Sequence, residues 1–161
     1  MPDGFLRQVV AAGEVGVKAL PPKGEYAAGV VFFPQNADAT AACKLAVERQ
    51  IEAQGLELLG WRPLPVDNSE LGQTSLESEP HSEMLLVGPA KDSDVKHFGR
   101  ELWKLRIRAA QALRHDAAND DFYINSLNTS TIVYKGQLTP EQVYTHRVFV
   151  YTRARVCALL K

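Results

Sequence analysis

Asp121-Phe122-Tyr123-Ile124-Asn125-Ser126-Leu127-Asn128-Thr129-Ser130-Thr131-Ile132-Val133-Tyr134-Lys135-Gly136 is the stretch from which the fold is read. Two short runs, Phe122–Leu127 and Thr131–Lys135, are rich in β-branched and aromatic side chains, which suit a pleated, half-buried backbone. The polar Asn128-Thr129-Ser130 separates them, and Gly136 closes the second. This order predicts a β-hairpin with a three-residue loop, and with it a sheet that is at least partly antiparallel.

Upstream of the hairpin, the apolar spacing of Val95, Phe98, Leu102, Leu105, Ala109 and Leu113 predicts the longest helix, opened by Ser93 or Asp94 and reaching about His115. Met84–Val87 is a short strand candidate. The polar run Asp67–Pro80 reads as a loop whose order depends on packing or a partner. Leu56–Val66 is another strand, and its Pro63 and Pro65 favour a sheet edge or an early end. A second helix begins at an Asn36 or Asp38 cap and stops at Gly55, with Ala39, Cys43, Val47 and Ile51 on its inner side. Tyr26–Phe33 is apolar without alternation, as expected of a central strand buried on both faces. Leu20-Pro21-Pro22-Lys23-Gly24 breaks regular structure, and Phe5, Leu6, Val9 and Val10 suit a short helix ending near Gly13. The element order predicts an α+β domain with two main helices.

With 161 residues and 45% hydrophobic content, a single core is expected. A net charge of −1 gives no global reason to seek nucleic acid or an anionic membrane as partner. No apolar run approaches the roughly 20 residues of a membrane span, and the start of the chain does not read as a signal peptide. A cytoplasmic setting is expected, or a plastid one if a targeting segment lies upstream.

Chemistry is sparse. Cys43 and Cys157 are far apart and outside any metal-ligand spacing. Cys43 reads as a small buried hydrophobe, while Cys157 has Arg153 and Arg155 nearby but no evident base. His81, His97, His115 and His146 fall on different elements. Asp67, Glu70, Glu77 and Glu79 lie in a solvated loop, the wrong setting for a hydrolytic pair that needs one desolvated carboxyl. The helix at 94–115 carries Lys96, Arg100, Lys104, Arg106, Arg108 and Arg114, which admits phosphate or nucleic acid but equally a solvated face. On motifs alone, no catalytic, cofactor-binding or metal-binding residue is assigned.

Several stretches together resemble one family, the large subunit of glutamate synthase in its N-terminal glutaminase domain. They are Leu20-Pro21-Pro22-Lys23-Gly24-Glu25-Tyr26-Ala27-Ala28-Gly29 with Phe32-Phe33-Pro34, then Leu59-Gly60-Trp61-Arg62-Pro63-Leu64-Pro65-Val66-Asp67-Asn68-Ser69, Leu71-Gly72 and Glu79-Pro80. Phe122-Tyr123-Ile124, Ser126-Leu127, Thr131–Gly136 and Leu138-Thr139-Pro140-Glu141-Gln142 complete the ordered set. The resemblance implies a class II glutamine amidotransferase with an N-terminal-nucleophile fold, here a partial sandwich with a partly antiparallel sheet. It implies an N-terminal cysteine that attacks the glutamine amide with its own α-amino group as base. Ammonia then passes to a domain bearing FMN and an iron–sulfur cluster, where 2-oxoglutarate becomes glutamate. FMN and the cluster are expected on the full-length enzyme and not on this chain. Glutamine and the remainder of the large subunit are the expected substrate and partner; nucleic acid and membrane are not.

The departures concern the chemistry. Met1-Pro2-Asp3 stands beyond the point where the family has its catalytic cysteine, and neither Cys43 nor Cys157 takes its place. The family's His-Ser-Arg-Phe and His-Asn-Gly-Glu motifs are missing, with only Val150-Tyr151-Thr152-Arg153 as an echo. Asn125 stands where the family usually has Cys, Ser130 where it has Arg, and His81–Leu85 differs from the usual run. Thr139-Pro140-Glu141-Gln142 signals a helix start, yet a β-like run follows. From Tyr144 onward there are four basic residues and no acidic one, leaving 14 basic against 19 acidic before it. Residues 1–142 are therefore expected to be an internal fragment of the amidotransferase domain, inactive alone. Residues 143–161 are expected to be a divergent basic tail from a frameshift, mis-spliced intron or truncated reading frame. The alternative is a non-catalytic binding or interaction module derived from that domain.

Overall fold

The computed structural model describes residues 3–17, 19–66, 68, 72–90, 95–114 and 119–135. The elements follow in the order α1 (Asp3–Ala11), β1 (Ala27–Phe33), α2 (Ala37–Ala53), β2 (Glu57–Pro63), α3 (Gln73–Ser78), β3 (His81–Gly88), α4 (Val95–Leu113) and β4 (Tyr123–Ile124). The strands form one sheet in the order β2-β3-β1-β4. Its three pairings are all antiparallel, so the expected partly antiparallel sheet is, among the described residues, antiparallel throughout. The divergent tail and the capping-box segment at 139–142 lie outside the described residues, as do His115, His146 and Cys157.

Both faces of the sheet are covered, which is why the inner strands lack alternation. Ala27, Val31 and Phe33 of β1 and Leu85 and Val87 of β3 face α2 and α4, meeting Cys43, Val47, Ile51, Phe98, Leu102 and Leu105. The alternate residues Ala28, Val30, Met84 and Leu86 face the other layer, built from α1, Val15, Leu20 and Tyr134. Each fully buried aliphatic or aromatic side chain contributes about 1.5–3 kcal/mol by leaving water. β1 is central and β2, which ends at Pro63, is an edge. α2 starts where expected: Asn36 Oδ1 accepts from Ala39 N at 2.9 Å, and Gly55 leaves the helix at φ +68°.

Two stretches, 67–88 and the hairpin, depart from expectation. The polar run at 67–80 contains a helical turn and a half, α3, rather than loop alone. Its carbonyls at the C-terminal end find a donor far away in sequence: Gln35 Nε2 reaches the oxygens of Leu76, Glu77 and Glu79 at 3.0, 3.3 and 2.7 Å. β3 also begins three residues earlier than expected, at His81.

The hairpin is the second correction. Only Tyr123–Ile124 of the first arm is a strand, and it pairs with β1 rather than with Thr131–Lys135. Between the Val31–Ile124 and Ala28–Asn128 pairings, two residues of β1 face three of the partner, Asn125, Ser126 and Leu127. This is a β-bulge: the amides of Asn125 and Ser126 both donate to Val30 O, at 2.9 and 3.4 Å. The extra residue lifts the backbone across Gly29, where a side chain would collide with it. The second arm is attached through side chains. Asn125 Nδ2 donates to Val133 O at 2.6 Å, and Ser126 Oγ accepts from Val133 N at 3.1 Å.

Candidate functional site

The bulge and the two sheet faces place the residues that could carry function. On the α1 face, Arg7 ties the proline turn to the helix, donating to Leu20 O at 3.2 Å and Pro21 O at 2.8 Å. Arg7 Nε also donates to Asp3 Oδ2 at 2.9 Å, and this bond holds the Asp3 carboxyl below its ordinary range. Tyr26 donates to the other oxygen of Asp3 at 2.9 Å. Burial first, and the Asp3 bond second, push the Tyr26 phenol upward. Further along this face Arg62, 8% exposed, donates to Glu14 Oε2 at 2.7 Å and lies over the Phe5 ring. Burial pushes Tyr134 up to about 12, against the opposing pull of the Arg62 charge. A neutral Tyr134 is thus the form the fold holds.

On the opposite face, Glu83 is 5% exposed and accepts from Lys44 Nζ at 2.8 and 3.1 Å. His81 Nε2 lies 3.0 Å from Glu83 Oε1. Lys44 also sits over the Trp61 ring, whose Nε1 donates to Glu48 Oε1 at 2.8 Å. Phe33 meets Trp61 edge-on and contacts the His81 and Phe122 rings. A buried carboxylate needs such partners, since an unpaired one would be costly to desolvate. Beside it a shallow cleft of about 250 Å³ is lined by Gln35, Leu64, Val66, Glu79, Pro80, His81 and Ser82. It offers His81, already held by Glu83, and no cysteine.

Among the described residues, Glu79 and His81 share the lining of the cleft, and the others singled out from the sequence are not brought together. Cys43 is fully buried under α2 with its thiol 3.2 Å from Asn119 Oδ1, so it is placed as the expected core residue. Glu77 accepts from Gln73 and Glu79 from Asn68, each in a separate local bond, while Asp67 and Glu70 lie outside the described residues. His81 and His97 are on β3 and α4. No group of three or more His, Cys, Asp or Glu among the described residues could hold a metal ion. An iron–sulfur cluster takes four protein ligands, usually thiolates, and the chain has two cysteines, so its residues do not fit that group. No described helix is long and apolar enough to cross a membrane.

Asn125, at the position where the resemblance expects Cys, is buried in the bulge, and its Oδ1 has no hydrogen-bond partner there. The Lys44–Glu83–His81 group and the Arg62–Glu14 pair had no sequence signal beyond residue type, because their partners are 39 and 48 positions apart.

Residues 1–152 match the family of class II glutamine amidotransferases. The chain is 38% identical over 152 residues to a glutamate synthase [NADH] of Schizosaccharomyces pombe, with 91% of this chain and 7% of that protein covered. It is 36% identical over 144 residues to the glutamate synthase [NADPH] large chain of Bacillus subtilis, covering 89% and 9%. With the chloroplastic ferredoxin-dependent glutamate synthase 2 of Arabidopsis thaliana it shares 34% identity over 113 residues, covering 70% and 7%. The chain thus spans less than a tenth of the length of these relatives.

Proposed function

Because the chain belongs to the class II glutamine amidotransferases, we propose that it is part of the glutaminase domain of a glutamate synthase large subunit. In this reading it supplies one sheet and its helical cover for an N-terminal-nucleophile sandwich. The domain as a whole hydrolyses glutamine, and the ammonia serves synthesis of glutamate from 2-oxoglutarate on a part of the enzyme bearing FMN and an iron–sulfur cluster. The observation that carries the reading is the ordered match through residue 152. The burial of Cys43 at 0% exposure supports its second half, that the 161-residue chain is inactive alone. A thiol in that position cannot reach a glutamine amide, and nucleophilic catalysis requires an accessible, activated group. In this reading the amidotransferase portion covers at least residues 1–142, inside the match to residue 152, and the acid-free run diverges toward its end. A compartment reached by glutamine, cytoplasm or plastid, suits the proposal.

Two assays on one protein pair test it. The purified 161-residue chain is expected to release no ammonia from glutamine. A Bacillus subtilis large chain in which residues 3–135 replace the matching segment is expected to keep glutamine-dependent activity, because the replaced part is scaffold. Ammonia release by the chain alone overturns the inactivity. A folded chimera that uses free ammonia but not glutamine overturns the assignment to this domain.

A further inference from the structure

The outer side of α4 is a large surface of the described chain whose chemistry the amidotransferase reading leaves unused. α4 carries Lys96, Arg100, Lys104, Arg106 and Arg108 against the single acid Glu101, leaving 13 basic and 18 acidic residues elsewhere. The helix is therefore strongly opposite in charge to the rest of the chain. Arg100, Lys104 and Arg108 recur every fourth residue, a spacing that aligns side chains along one side of a helix. All three are exposed. The neighbouring row contains Trp103 and Ile107, also four apart, and these are 61% and 41% exposed. The buried stripe of Phe98, Leu102, Leu105 and Ala109 is on the opposite side, so neither residue is needed by the core.

Glu101, three residues before Lys104, is the one acid of α4 and lies beside the basic row, and a face that is only solvated gains nothing from an exposed indole. Tryptophan and arginine together are instead the side chains that dominate the centres of protein interfaces. The surface continues past the helix. Arg106 Nη2 donates to Ile124 O at 3.2 Å, which fixes α4 beside β4, and Tyr123 on that terminal strand is half-exposed with Lys135 Nζ over its ring at 5.0 Å.

We propose that the outer face of α4, centred on Trp103 and Ile107 and flanked by Arg100, Lys104 and Arg108, docks an acidic polypeptide segment. The segment presents carboxylates to the basic row and an apolar side chain to the indole. Charge complementarity selects this occupant, because a partner charged like the rest of the chain is attracted to α4 and repelled elsewhere. The aliphatic Ile107 beside the indole favours a polypeptide over nucleic acid, which offers bases to stack on Trp103 but no aliphatic side chain to pack on Ile107.

The test is titration calorimetry of the whole chain with a synthetic peptide alternating glutamates with leucines, at low and at physiological salt. An oligothymidylate of equal charge is the comparison. Binding of the peptide is expected, weakening with salt. Trp103→Ala should lower affinity about tenfold or more, and the triple variant R100E/K104E/R108E about 100-fold. Leu45→Ala, an exposed apolar truncation on α2, should leave affinity unchanged within about twofold, the usual fate of a residue outside the interface. All the substituted side chains are exposed, and an unchanged urea midpoint will establish that the fold is intact. Absence of peptide binding, insensitivity to the triple reversal, or tighter binding of the oligothymidylate overturns the proposal.

Discussion

Gly29→Ala should unfasten the bulge from β1. A methyl group on Gly29 would sit 1.8 Å from Ser126 O and 2.7 Å from Leu127 Cα, both backbone atoms. Ordinary carbon–oxygen contact needs about 3.3 Å, so the crossing segment must retreat by roughly 1.5 Å. Four backbone hydrogen bonds hold it: the reciprocal Ala28–Asn128 pair at 3.2 Å each, and Val30 O with the amides of Asn125 and Ser126 at 2.9 and 3.4 Å. Each such bond contributes about 0.5–1.5 kcal/mol net, and a buried group left without a partner costs about 1–3 kcal/mol. Loss of the weaker half of the set, together with looser packing of Ile124 and Leu127, amounts to about 3–5 kcal/mol. That is a large share of the roughly 5–15 kcal/mol that stabilises a domain. The cost is steric rather than conformational, since Gly29 is not among the glycines with positive φ. Urea unfolding of the wild type and variant, followed by circular dichroism, measures it from the shift in midpoint at unchanged slope. A loss below about 1 kcal/mol would show that the segment can lift without penalty, and the bulge account would be wrong.

The opposite sign is expected at Gly99, which lies inside α4 with nothing within 4 Å of an added Cβ. Gly99→Ala should raise stability by about 0.5–1 kcal/mol in the same urea assay, through helix propensity alone. Alkaline titration gives a third check. Tyr134 is raised from 10.0 in the unfolded chain to about 12 in the fold, so below pH 10 both states keep the proton and its contribution is intact. Between pH 10 and 12 the unfolded chain ionises first, and stability should fall by roughly 2–3 kcal/mol. Tyr26 acts in the same direction. Tyr134→Phe should flatten the part of this loss that belongs to Tyr134; an unchanged slope would remove it as the cause.

What was legible in the sequence follows the range of the forces involved. α2 was readable from end to end because its cap, its apolar spacing and its terminal Gly55 are all local. The central position of β1 and the edge position of β2 were equally plain, from apolar content on both faces in one and Pro63 in the other. α3 has no local signal, because the group that satisfies its last carbonyls, Gln35, is more than 40 residues from them. The second arm of the hairpin departs from expectation for a related reason. Its β-branched residues suit an extended backbone, but Ser126 and Asn125 occupy the hydrogen-bonding groups of Val133 with side chains, and no ladder forms. Of the candidate site, Cys43 as a core residue could be read from helical spacing. The carboxylate of Glu83 could not, because nothing local distinguishes a buried glutamate from an exposed one.

Several residues of the stretches that resemble the amidotransferase family join layers of the fold. Gly29 admits the bulge across the sheet, and Ser126 clasps the segment that follows. Trp61 binds the helical layer through Glu48 of α2 and meets Phe33 of β1 edge-on, while Arg62, next in sequence and on the opposite side of the strand, binds the α1 layer through Glu14 and Phe5. Leu20 and Pro21 receive Arg7 from α1. These positions join the sheet to what lies above and below it, and none offers a nucleophile. A scaffold constrains sequence wherever layers meet, whereas chemistry constrains only the few positions that touch substrate. Among the described residues the matched stretch holds one cysteine, the buried Cys43. What the likeness shows is the frame of a class II glutamine amidotransferase domain.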